Sequence, residues 1–212
     1  MWMFKANILK SLEKNKKSTM ETLQDAIEAS NLQSREILVD AITPQTADFM
    51  DNLIRFWNLV DDETMKSYSE REPIKVYINS LGGNLAAAFT MMDSIRISRT
   101  PVYTINTGCA YKEAFFVYIM GHKRYAYPMS SFVFHRDAKQ FDDTATESSF
   151  YNYSSFCDAQ LEEIKRTILD KTKITETQYD KHCKNDWWFN SDEALKNHIC
   201  NEVVRDHIFK RK

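Results

Sequence analysis

The sequence predicts an α/β fold built on a largely parallel sheet, and three observations lead to that class. Short β-branched runs, Ile74 to Ile78 and Pro101 to Ile105 among them, alternate with segments of helical period. Glycines stand between run and helix at Gly82-Gly83 and at Gly108, where a chain turns from a strand into a helix. At 212 residues with 43% apolar content, the chain is long enough for one sizeable core or a domain with an appendage, and too short for a second full domain. In such a sheet, binding groups gather at the carboxyl ends of the strands.

In chain order, residues 1–33 read as a helical appendage. Phe4, Ile8 and Leu12 recur at helical spacing, and Ser18 with Glu21 forms a capping box before Met20, Leu23 and Ile27. A short first strand lies within Ser34 to Ile42. Thr43-Pro44 then starts a helix, Thr as cap and Pro in the first turn, with Ala47, Met50, Ile54 and Trp57 on its apolar face. The acidic run Asp61 to Glu72 lacks periodicity and reads as a solvated loop. After the Ile74 strand, Leu85 to Ile97 is helical. Pro101 to Ile105 follows as a strand that turns at Gly108 into the apolar helix after Glu113. Lys123 to Tyr127 and Ser131 to His135 are two more strands around Pro128. Residues 145–172 form a long helix with Tyr153, Phe156, Leu161, Ile164 and Ile168 on one side. Thr175 to Cys183 is a short helix, Asp186 to Phe189 an aromatic anchor, Ser191 to Glu193 a helix cap and Glu202 to Ile208 a last strand.

Composition narrows the function classes. Twenty-eight basic against 30 acidic residues leave a formal net charge of −2, which disfavours nucleic acid and anionic membranes as partners. No segment approaches the roughly 20 apolar residues of a membrane span, and the lysine-bearing N-terminus lacks the apolar run of a signal peptide. Four scattered cysteines without a CxxC pair fit free thiols in a reducing, cytoplasmic compartment. His182-Cys183 and His198-x-Cys200 do not have structural zinc spacing, so no metal or cofactor is expected.

The chemistry concentrates at Thr107 to Gly121. A strand–turn–helix elbow presents its reactive side chain at the first turn of the helix, where unpaired N–H groups and the helix dipole stabilise a developing oxyanion. That position holds Lys112. Around it, Tyr77-Ile78-Asn79-Ser80-Leu81-Gly82-Gly83 resembles the YINSPGG segment of the proteolytic subunit of the Clp protease (ClpP), a ring-forming serine peptidase. Gly108-x-Ala110, Lys123-Arg124-x5-Ser130-x4-His135 and Asp186-x4-Ser191-x-Glu193-Ala194 follow in that family's order.

The resemblance implies a crotonase-like head on residues 34–212 with a protruding handle helix at about 145–172. It implies His135 as general base, Asp186 as the carboxylate that orients it, and an oxyanion hole from Gly82, Gly83 and the backbone N–H of Glu113. The family's nucleophilic serine falls on Lys112, and no serine lies between Ser98 and Ser130 to replace it. A protonated lysine is no nucleophile. Two further departures concern assembly and substrate. Arg136 to Thr144 has no glycine where the family pairs with peptide, and Lys184-Asn185 replaces an acidic–Arg pair that joins stacked rings. The expectation is a catalytically inactive or impaired homologue working in a homomeric, heptamer-like ring, in a mixed ring with active ClpP, or with an AAA+ unfoldase. The alternatives are a peptidase using Lys112 or Cys109 and an acyl-binding enzyme of the crotonase type.

Overall fold

The computed structural model describes residues 25–27, 29–135, 147–183 and 185–205, with backbone only over 147–157. Of the expected N-terminal appendage, 25–27 and 29–33 are helical and the remainder lies outside the described residues. Among the described residues, seven strands form one sheet: β1 (Glu36–Val39), β2 (Ile74–Ser80), β3 (Val102–Tyr111), β4 (Lys123–Ala126), β5 (Ser131–Phe134), β6 (Trp187–Asn190) and β7 (Glu202–Val203). The helices are α1 (Pro44–Glu63), α2 (Leu85–Ile97), α3 (Glu113–Met120), α4 (Glu147–Lys171), α5 (Glu176–His182) and α6 (Ser191–Lys196).

The path β1-β2-β3-β4-β7 is parallel throughout. Strand β3 is long enough to fork: its first half pairs with β4 and its second half, Cys109 to Tyr111, with β5. The aromatic anchor is itself a strand, β6, antiparallel to β5 with Phe134 opposite Trp187. Alternation of buried and exposed residues is too short over four positions to have marked it in the sequence.

Helix α1 starts as its sequence dictates. Thr43 Oγ1 accepts the Thr46 amide at 3.1 Å, Pro44 occupies the first turn, and Ala47, Met50, Ile54 and Trp57 are buried. Helix α3, Glu-Ala-Phe-Phe-Val-Tyr-Ile-Met, is buried at every position, as a helix apolar on all sides must be. In α4, Leu161, Ile164 and Ile168 join the same apolar core, so this end of the handle packs within the chain. Tyr153 and Phe156 lie where only backbone is described.

Four boundaries differ from expectation. The run after Asp61 is not simply a solvated loop. Asp61 is fully buried, at the end of α1, and takes both guanidinium nitrogens of Arg35 at 2.7 Å and the Thr100 hydroxyl at 2.8 Å. A charge with that many donors is stable out of water. A single 3-10 turn, Tyr68–Glu70, follows. The cap of α6 is Asn190, one residue earlier than expected, in a reciprocal box with Glu193. Strand β7 is limited to Glu202–Val203 within the described residues, and the expected extension to Ile208 passes outside them.

The fourth concerns the elbow. Gly108 does not turn the chain; it lies inside β3, at a register shift where Ile78 pairs with Asn106 but Ser80 with Ala110. The Asn79 amide side chain fills this bulge, accepting the Cys109 N–H at 3.1 Å, and any Cβ on Gly108 would collide with it.

Candidate active site

Because β2, β3 and β5 run parallel, their carboxyl ends open on one edge of the sheet, and the residues that follow them meet there. These are Gly82-Gly83 after β2, Lys112 after β3 and His135 after β5. Strand β6 enters antiparallel beside β5, which brings Asp186 next to His135. The sheet topology thus collects all six residues expected from the sequence, although the chain separates the first from the last by about a hundred positions.

The turn at the elbow is made by Lys112 itself. Its φ of 53° and ψ of −119° place a residue with a full side chain in a sparsely populated region. Such backbone costs on the order of 1–3 kcal/mol and persists only where neighbours enforce it. Here the Lys112 amide donates to the Val133 carbonyl at 2.9 Å, and its carbonyl accepts from Phe115 and Phe116 at the start of α3. Lys112 is therefore fixed between β5 and α3, with its Cα at the mouth of the helix.

Nδ1 of His135 lies 2.9 Å from Oδ1 of Asp186. The end of β5 just before His135 is set in aromatic packing. Phe134, its predecessor in β5, contacts the Tyr179, Phe115 and Phe116 rings at centroid distances of 5.0, 5.8 and 6.2 Å. Asp186 is flanked by Trp187, which stacks on His182 at 4.4 Å. His182 and the buried Cys183 and Cys200 are thus packing residues, and no group of three or more His, Cys, Asp or Glu among the described residues is placed to hold a metal ion.

The glycine turn is built by close approach. The Gly82 carbonyl accepts from Ile42 and the Asn84 amide returns to the Ile42 carbonyl, so the chain after β1 is laid directly against Gly83. A Cβ on Gly83, whose φ is +154°, would overlap the Ile42 carbonyl oxygen. The sequence-based expectation aims both glycine amides at a substrate oxyanion, and the structure gives each a partner within the chain. Gly82 N–H donates to Ser80 Oγ at 3.2 Å. Gly83 N–H donates to Oε2 of Glu113 at 2.9 Å.

Glu113 was expected to contribute its backbone N–H, and it does head α3, where the first N–H groups have no partner within the helix. Its side chain is what the sequence reading missed. The residue is only 6% exposed, and its carboxylate lies over the Gly82-Gly83 turn, so close that a Cβ on Gly82 would sit 2.6 Å from Oε2. The signal available in the sequence was an acidic residue at the first position of a helix facing a double-glycine turn, since both features favour a carboxylate there.

Cys109 stands apart from the elbow. It lies in β3 ahead of the elbow, with Sγ 3.4 Å from Asn79 Oδ1, and burial pushes its thiol pKa up, which disfavours the reactive thiolate.

The family model described as Clp protease matches residues 15–207. ATP-dependent Clp protease proteolytic subunit 2 of Treponema denticola is 27% identical over 144 residues, covering 67% of this chain and 71% of the relative. The subunit of the same name from Corynebacterium efficiens is 26% identical over 179 residues, 76% of this chain and 89% of the relative. Among solved structures, a ClpP1 point mutant from Listeria monocytogenes superposes with a TM-score of 0.70 at 21% identity, covering 85% of this chain and 97% of that one, which establishes a shared fold.

Proposed function

The chain belongs to the Clp protease family, and on that premise we propose that it is a ClpP homologue without serine-peptidase turnover, which acts by assembly. It takes a place in a heptamer-like ring of its own copies or in a mixed ring with active ClpP subunits, and through that ring meets an AAA+ unfoldase in the cytoplasm. The observation that carries this reading is Lys112. It occupies the strained elbow between β3 and α3, while His135 Nδ1 lies 2.9 Å from Asp186 Oδ1.

In a serine peptidase of this arrangement the hydroxyl at the elbow attacks the carbonyl, the histidine takes its proton, and the carboxylate holds the imidazole in orientation. Here the second and third groups are present and the first is an amine. Without a hydroxyl at the elbow there is no group for His135 to activate by the serine route. The support for assembly is the retained fold and the share of the relatives' length that the chain spans. The reading of an unconventional Cys109 peptidase is opposed by that thiol's place in the bulge of β3.

The test is native mass, measured for the chain alone and mixed with an active ClpP. The reading expects a ring-sized species in one of the two samples. A strict monomer in both, with no co-migration, contradicts it.

A further inference from the structure

The proposed function rests on one missing hydroxyl; a second feature of the same site is independent of it. Gly83 N–H points toward the head of α3, the place that the proposed reading gives to an acyl carbonyl oxygen. That amide is already bonded to Oε2 of Glu113 at 2.9 Å. The carboxylate is almost fully buried, and it lies at the end of a helix whose dipole favours negative charge. Charge-assisted bonds of this kind are about twice as strong as neutral ones. A neutral peptide carbonyl entering the site would have to displace an anion from an amide that binds the anion better.

We infer that Glu113 is the resident ligand of this site: its carboxylate occupies the oxyanion position, closing the site to acyl groups from within, and its removal leaves a vacant site for a small carboxylate. The inference deepens the reading above and rests on it for the identity of the site. It adds that the closure does not depend on Lys112. It also gives the Gly82-Gly83 turn a ligand supplied by the chain itself. Gly82 and Gly83 have φ of +107° and +154°, and the Glu113 carboxylate is one of the contacts that hold them there.

The experiment is amide hydrogen exchange resolved at Gly83 in the full chain, for the wild type, Glu113→Gln and Glu113→Ala. In Glu113→Ala, Gly83 should exchange at least tenfold faster than in the wild type, while the β2 amides keep their protection. Sodium acetate should restore protection at Gly83 in that variant, sodium chloride at equal ionic strength should not, and neither salt should change the wild type. Glu113→Gln, which keeps an acceptor oxygen and loses the charge, should fall between the two. If Glu113→Ala loses β2 protection as well, Glu113→Gln decides alone, and wild-type protection at its Gly83 overturns the inference. Exchange at Gly83 within twofold of wild type in Glu113→Ala overturns it, and so does fast exchange that acetate does not slow. Because exchange requires no turnover, these results stand apart from the peptidase assay: hydrolysis by the wild type would refute the loss of activity, whereas unaltered exchange would refute only the resident carboxylate.

Discussion

Oε2 of Glu113 accepts a hydrogen bond from the Gly83 amide at 2.9 Å, so the second glycine of the turn is bonded to the residue next to Lys112 in the chain. Lys112 and Glu113 are adjacent in sequence, and in the proposed reading they act separately: Lys112 stands where the nucleophile would be, and the Glu113 carboxylate fills the hole.

It follows that restoring the hydroxyl alone is insufficient. Lys112→Ser should react with a fluorophosphonate probe no faster than the wild type, whereas Lys112→Ser combined with Glu113→Ala should label at least tenfold faster. Removing one oxyanion-hole donor from a working enzyme costs about 10²–10³ in rate, so a difference of tenfold or more is the scale expected. Efficient labelling of Lys112→Ser alone would show that the carboxylate yields readily.

Gly83→Ala should be among the most damaging single substitutions in the head. The new Cβ overlaps the Ile42 carbonyl, and the φ of +154° is unfavourable to any L side chain. A loss of roughly 2–4 kcal/mol, comparable to other severe backbone and overpacking changes, should appear as a lowered denaturant midpoint.

The fold class and most of the strands and helices were legible because they follow from local pattern, whereas the six site positions came from the resemblance to ClpP. Thr43-Pro44 starts a helix, β-branched runs make buried parallel strands, and the double glycine marks a turn whatever surrounds it. Three features were not legible, and each depends on contacts far along the chain. Gly108 looked like the turn because nothing near it in sequence reveals that Asn79 fills a bulge there. Asp61 looked like loop because its partners, Arg35 and Thr100, lie 26 and 39 residues away. Glu113 was read for its backbone because the Gly83 amide that takes its side chain is 30 residues upstream.

The buried Asp61 makes stability depend on acid. The Arg35 guanidinium, with the Thr100 hydroxyl, holds the Asp61 carboxyl below its ordinary value of 3.8, against the opposing effect of burial. A carboxylate whose pKa is lowered by folding contributes stability that is fully present above its unfolded value and is lost as pH falls through the folded one. The wild type should therefore lose stability below about pH 4, by linkage to this group. Arg35→Ala, which leaves the charge buried without its fork, should cost roughly 3–5 kcal/mol at neutral pH. Chemical denaturation at pH 7 and pH 3 checks both.

Arg124 should not tolerate lysine. Its buried guanidinium donates to the carbonyls of Ile199, Lys171 and His198 at 2.8–2.9 Å, which joins β4 to the end of α4 and to the turn before β7. An ammonium cannot span that fork. Arg124→Lys should cost about 2–3 kcal/mol through carbonyls left unpaired, seen as a lower thermal midpoint, with the His135–Asp186 contact unaffected.

The central claim is that the retained His135–Asp186 pair has no nucleophile to serve. The most direct measurement is hydrolysis of a fluorogenic peptide by the wild-type chain in its assembled state, read beside His135→Ala. The account predicts equal, background rates for the two and no labelling of either by a serine-directed probe. Turnover by the wild type that His135→Ala abolishes would contradict it.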